Sequence, residues 1–246
     1  MSSREAGVDP AGPLQGRTAL VTGGSKGIGL AVAESLAAAG ARVHVLSRNP
    51  DAAASVCAQS GGSVWATDLN DDAEVWSAID AFIDTVGGPP DIVVNSAGSF
   101  EVAPLAETSV ATFDRQIALN LRGSFLILRA VLPAMLERGS GDLVQIGSVA
   151  GRRAFPANGA YSASKYGLRG MHEVLLEEIR GTGVRASLLE PAATDTPIWD
   201  PLDPDANPNL PDRAGMLRPL DVAEAVAFVV TRPPNVRVPL LQIERG

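Results

Sequence analysis

From Arg17 onward the sequence alternates short β-rich runs with helical stretches, and few folds accommodate that order. RTALVT reads as a first strand, followed by a glycine-rich turn and a helix over Ile28 to Ala39 whose end is marked by Gly40. ARVHVLS and SVWATD read as the second and third strands. A helix over Ala73 to Val86, capped by Asn70 or Asp71, is stopped by Gly87, Gly88, Pro89 and Pro90. DIVVNSAG is a fourth strand, Val110 to Leu136 a long helix and GDLVQIG a fifth strand. Gly159 to Arg180 reads as a helix, VRASLLEP as a sixth strand, Leu220 to Val230 as a helix and VPLLQIE as a closing strand. Strands and helices in this alternation pack as parallel units with helices on both faces of a sheet. The pattern therefore predicts one doubly wound α/β domain over residues 16–246, with a mostly parallel, seven-stranded sheet. In such sheets the ligand binds outside the carboxyl ends of the strands.

Two stretches escape the pattern. Residues 1–15 are polar, contain Gly and Pro, and are expected to form a disordered arm. Residues 192–217 are rich in Pro, Asp and Asn without a clear period, and read as a substrate loop or lid. Composition excludes several functions. A net charge of −8 with no basic stripe argues against a nucleic-acid surface. Cys57 is the only cysteine, so no intramolecular disulfide or cysteine metal cluster can form, and His44 and His172 lack metal-ligand spacing. The first residues, MSSREAGVDPAGPLQG, lack the apolar core of a signal peptide, and Arg129 and Pro133 interrupt the longest apolar run. The expectation is a cytoplasmic protein acting on a small molecule, with no nucleic acid, membrane or metal.

The first strand runs into Thr22-Gly23-Gly24-Ser25-Lys26-Gly27-Ile28-Gly29. Glycines spaced G-x-x-x-G-x-G let the backbone approach a pyrophosphate lying at a helix N-terminus, although a tight strand–helix turn with no ligand would look the same. The second strand ends in Ser47-Arg48-Asn49, with no acid where one would bond a ribose 2′-hydroxyl. Arg48 and Lys26 are either solvated surface cations or the partners of a 2′-phosphate. Together, with the acid missing, they make NADP(H) the expected cofactor. Asp68 is placed to bond the adenine amino group or to cap the next helix, with Leu69 beside it and Ile28 behind the glycine turn.

Only two of the 20 basic residues are lysines, Lys26 and Lys165, and one of only two tyrosines, Tyr161, lies four residues before Lys165. On a helix that spacing puts phenol and ammonium on one face. A free phenol has a pKa of about 10, and a nearby ammonium favours the phenolate, bringing it toward useful proton transfer. Ser148, after the fifth strand, falls in the same crevice, where it either polarises a substrate carbonyl or caps a turn. Asn120 is a poor helix former inside the long helix and calls for a partner, or bends the helix around a water.

The glycine turn, Asn95-Ser96-Ala97-Gly98, Asn120, Ser148 and Tyr161-x-x-x-Lys165, in this order and spacing, resemble the short-chain dehydrogenase/reductase family over about residues 17–245. The resemblance implies a Rossmann-type fold and an NADP-preferring carbonyl–alcohol oxidoreductase. It makes Tyr161 general acid in reduction and base in oxidation, and Lys165 the partner of the nicotinamide ribose. Ser148 would orient the substrate, and Asn120 would hold the water of a proton relay. Asn95, Ala97 and Gly98 would line the cofactor, and Pro191, Thr194 and Thr196 would contact its carboxamide. Val149, Phe155 and Trp199 are expected to border the substrate, and the long helices to pack across a two-fold axis in a homodimer or homotetramer. Ser96, Gly147 and Ala192 depart from the usual family residues without removing a catalytic side chain. A non-catalytic NADP(H)-binding sensor of the same fold, and an NAD-linked alcohol dehydrogenase, are the alternatives.

Overall fold

A computed structural model describes residues 12–246. Strands β1 (Thr18–Thr22), β2 (Arg42–Ser47), β3 (Val64–Ala66), β4 (Ile92–Asn95), β5 (Gly141–Ile146), β6 (Val184–Pro191) and β7 (Leu240–Ile243) form one sheet. Every pairing is parallel, in the order β3-β2-β1-β4-β5-β6-β7. Side chains alternate across each strand, and both faces are covered. Ala19 and Val21 of β1 join a core with helices α1 (Gly27–Ala38) and α7 (Pro219–Val230), through Val32, Leu36, Val222 and Val226. Leu20, between them, points into a second core with α3 (Asp72–Val86), α5 (Ser124–Arg138) and α6 (Gly159–Glu178). This double burial is why β1 reads as a continuous apolar run. The order of strands reverses between β1 and β4, so a crevice opens past their carboxyl ends.

The structure refines several expectations. The long helix is three pieces: α4 (Val110–Ile117), a π-helical turn (Ala118–Gly123) and α5. By length and composition Val110–Arg138 is apolar enough to cross a membrane. Much of that apolarity packs on the sheet, however, through Leu126, Ile127, Val131 and Met135. A helix missed in sequence, α2 (Asp51–Gln59), separates β2 from β3; it buries only Ala53 and Cys57, too small a stripe to read as a period. Asp71, not Asn70, caps α3, its carboxylate accepting from the N–H groups of Ala73 and Glu74. Residues 12–15 of the expected arm are ordered against the fold. Residues 12–15 form a turn in which Leu14 is buried in the first core and bonds through its N–H to the Ala39 carbonyl at 2.9 Å; residues 1–11 lie outside the described residues. The segment 192–217 is built, with 3₁₀ turns at Pro197–Leu202 and Arg213–Gly215 and a bridge joining Thr194 to Leu217.

Candidate active site

The turn after β1 folds tightly over the sheet edge. Gly23 has φ +67° and Gly27 φ +54°, and a Cβ on Gly23 would lie 2.7 Å from the Ala97 Cα. Only glycine allows both the conformation and that approach. The Thr22 hydroxyl accepts from the N–H groups of Ser96 and Ala97, at 3.1 and 3.3 Å, and so ties the loop after β4 to the end of β1. Helix α1 begins at this turn with no side-chain cap and no acid in its first turn, leaving its N-terminal N–H groups to an anion from outside.

A cleft runs along this edge. Gly23, Ser25, Lys26, Gly27, Ile28 and Gly29 line its floor; Ser47, Arg48, Asp68 and Leu69 form one end; Ala97, Gly98 and Thr196 form the other. The Ser25 and Ser47 hydroxyls lie 2.9 Å apart, joining the glycine turn to the end of β2. Lys26 and Arg48 are exposed, and among the described residues neither has an ion-pair partner. Asp68 does not cap α3; its carboxylate accepts from the backbone and side-chain nitrogens of Asn70 at 3.0 and 2.8 Å. An uncapped helix end, glycines with no room for Cβ and two unpaired cations fit a phosphorylated dinucleotide.

Beyond the cleft, α6 carries Tyr161 and Lys165 one turn apart. The Ser148 hydroxyl stands near enough to the Tyr161 phenol to favour its phenolate. Ser148 caps the 3₁₀ turn Val149–Gly151, accepting from the Ala150 N–H at 3.1 Å. The Lys165 ammonium lies 5.7 Å from the centroid of the Tyr161 ring and donates to the Ile146 carbonyl at 2.9 Å. Burial pulls Lys165 down to about 8. The lowering expected for the tyrosine is not the balance found: burial raises the phenol above its ordinary value, and the nearby Ser148 hydroxyl opposes that rise.

Asn120 sits fully buried in the π-helical turn. Its Oδ1 accepts from the Ser99 N–H at 2.7 Å, while its Nδ2 donates to the Ser99 carbonyl at 2.9 Å and to the Ser164 hydroxyl at 3.0 Å. The side chain thus fastens the loop after β4 to α6, and the helix bends through a π turn to let it. Asn95 lies behind the cleft at the end of β4, donating to the Ser124 carbonyl at 3.4 Å with its buried Oδ1 unpartnered. Pro191 ends β6, outside the lining of the cleft. The Thr194 hydroxyl donates to the Ala192 carbonyl at 3.0 Å.

Trp199 donates its indole N–H to the Thr194 carbonyl at 3.0 Å. Its ring packs against Phe100 at 4.9 Å between centroids, and Phe100 packs edge-on against Tyr161 at 4.7 Å. Phe100 was not singled out in sequence; its only signal is a place two residues after Gly98. Val149, directly after Ser148, is half-buried. Phe155 follows Ser148 by seven residues, after the 3₁₀ turn. It is 36% exposed, lies under the Arg153 guanidinium at 5.4 Å, and makes no ring contact with Tyr161 or Trp199.

Comparison with known proteins agrees with this geometry. A family model described as short chain dehydrogenase matches residues 17–207. A D-threitol dehydrogenase of Mycolicibacterium smegmatis is 37% identical over 238 residues, covering 93% of this chain and 91% of its own. A metagenomic short-chain oxidoreductase solved in complex with NADP superposes with a TM-score of 0.79 at 30% identity, covering 95% of this chain and 99% of its own. A Brucella melitensis protein described as ribose-5-phosphate isomerase superposes with a TM-score of 0.86 at 30% identity, covering 95% and 93%.

Proposed function

The chain belongs to the short-chain dehydrogenase/reductase family of oxidoreductases, and from that premise we propose that it interconverts a carbonyl and a secondary alcohol with NADP(H). The observation that carries the proposal is Tyr161 and Lys165 one turn apart on α6, with the buried Lys165 ammonium 5.7 Å from the centroid of the phenol ring. The bound cofactor would supply or accept the hydride. Tyr161 gives its phenolic proton to the substrate oxygen in reduction and recovers it in oxidation. Ser148 bonds the same oxygen and polarises it. Lys165 holds positive charge beside the phenol and would bond the nicotinamide ribose, and the proton relay would pass by Asn120. Phe100 and Trp199 form an aromatic wall beside Tyr161, the indole N–H being already used, which favours a substrate with an apolar or C–H-rich face. Likeness of fold to a protein described as an isomerase does not carry that reaction here, because activity follows the site and not the fold.

Absorbance of NADPH during incubation with ketones, 3-oxo esters, hydroxy acids and polyols such as threitol tests this reading. Consumption or production of NADPH with at least one class is expected. NADPH binding without turnover across the whole panel would favour the sensor alternative.

Arg48 and Lys26 support NADP(H) over NAD(H). Arg48→Ala should weaken NADPH binding about tenfold or more, equivalent to about 1.4 kcal/mol, and leave NADH nearly unchanged. Equal losses for the two cofactors in fluorescence titrations would refute the assignment.

The proposal extends to assembly and location. Val110 and Phe113 on α4, Phe125 on α5, and Tyr166 and Val174 on α6 are exposed apolar side chains on neighbouring helices. They support a homodimer or homotetramer packed across a two-fold axis. Light scattering should report two or four chains at micromolar concentration, and a monomer would contradict this. A cytoplasmic setting belongs to the same proposal, tested by locating the tagged protein in fractionated cells.

A further inference from the structure

The segment 192–217 supplies Thr196 to the cofactor cleft and Trp199 to the aromatic wall, yet it contains no long element that would hold it in place. A backbone bridge from Thr194 to Leu217 joins its ends, and one side chain ties its interior together. The Arg213 guanidinium bonds Asp195 at 2.5 Å and Asp200 at 2.7 Å, and stands 3.8 Å from Asp205. The Arg213 backbone N–H donates to the Asp205 carboxylate at 2.8 Å, and the guanidinium also reaches the Thr196 carbonyl at 3.5 Å. Asp195 and Asp200 flank the stretch holding Thr196 and Trp199, so the arginine closes the loop at both sides of its two working residues.

The consequences for the site follow from contacts. Thr196 sits where a Cβ on Gly27 would lie 3.1 Å away, close against the phosphate-binding turn. Trp199 stands against Phe100, which stands against Tyr161. Without Arg213 the carboxylates of Asp195, Asp200 and Asp205 would lose their common cation, and the loop its side-chain tie on both sides of Thr196 and Trp199. A lysine cannot replace this hub, because a point charge lacks the planar fork that reaches several carboxylates together.

We propose that Arg213 is a positioning residue for the reaction, holding the 192–217 loop so that Thr196 closes the cofactor cleft and Trp199 closes the substrate wall. The inference rests on the function proposed above, but one arm of its test does not. In the cofactor-free protein, hydrogen exchange of the amides of Asp195, Trp199, Gly215 and Leu217 should accelerate in Arg213→Ala, with the sheet amides unchanged. In the second arm Arg213→Ala should raise the Kd and KM for NADPH about tenfold, equivalent to about 1.4 kcal/mol, while kcat changes by less than about threefold. Arg213→Lys should fall between wild type and Arg213→Ala, and Arg180→Ala, which removes an exposed pair with Glu177 elsewhere, should match wild type in both arms. Unchanged exchange in the loop would overturn the proposal, as would a fall in kcat at unchanged KM. If the wild-type protein binds no NADPH, the cofactor reading fails, and the exchange arm alone still decides the role of Arg213.

Discussion

Replacing Tyr161 by Phe should lower kcat about a thousandfold, within the range that one positioned acid–base group contributes, while NADPH binds within about twofold of wild type. The substitution removes one oxygen and keeps the ring, so the edge-on contact with Phe100 and the face offered to Lys165 survive. Ser148 keeps its bond from Ala150, so its turn stays in place. What is lost is the proton on the substrate side. The same residue sets the pH dependence. Burial raises the phenol, so at neutral pH it is held as the protonated acid that reduction needs. Oxidation needs the phenolate, so the rate of alcohol oxidation should climb with pH across the alkaline range, with the reduction rate declining there. Unimpaired turnover by Tyr161→Phe, or a flat profile for oxidation, would remove Tyr161 from the mechanism.

Much of this site was legible in the sequence because its parts are local. The glycine turn is legible since positive φ and close approach demand one residue type, and the Gly23–Ala97 contact realises that demand. Tyr161 and Lys165 are legible since a helix converts a spacing of four into a shared face. Strands covered on both sides are legible as apolar runs. What was not legible depends on contacts distant in sequence. Nothing in the order of residues says that Asn120 bonds Ser99 and Ser164, or that its helix must pass through a π turn to do so. Phe100 is one apolar residue after a turn, and only the folded chain sets it between Tyr161 and Trp199. Nor does the order of residues say that the Arg153 guanidinium stands 5.4 Å from the Phe155 ring centroid. Leu14 was lost among polar neighbours, although Ala39, at the end of α1, receives its N–H.

Lys165→Met should cost at least about a hundredfold in turnover, yet leave the protein as stable as wild type or more so. The ammonium is 6% exposed and its environment favours the neutral amine, bringing it from 10.5 to about 8. Between those values the unfolded chain holds a proton that the native chain has released, so this group makes stability rise as pH rises from 8 to 10.5. Below pH 8 both states carry the charge, and its burial costs the native state about 3 kcal/mol at 1.36 kcal/mol per pKa unit. Methionine fills similar volume without that cost, offset by the Ile146 carbonyl losing its donor, a penalty of about 1–3 kcal/mol. Thermal melts of both proteins from pH 7 to 10.5 separate the contributions: the advantage of the variant should be largest at pH 7 and shrink as the wild-type lysine deprotonates. A melting temperature more than about 4 °C below wild type at pH 7 would instead mean that the ammonium holds the structure together. A charge that weakens the fold and is kept at the one position facing Tyr161 is then accounted for by the reaction, with stability exchanged for a cation where the proton moves.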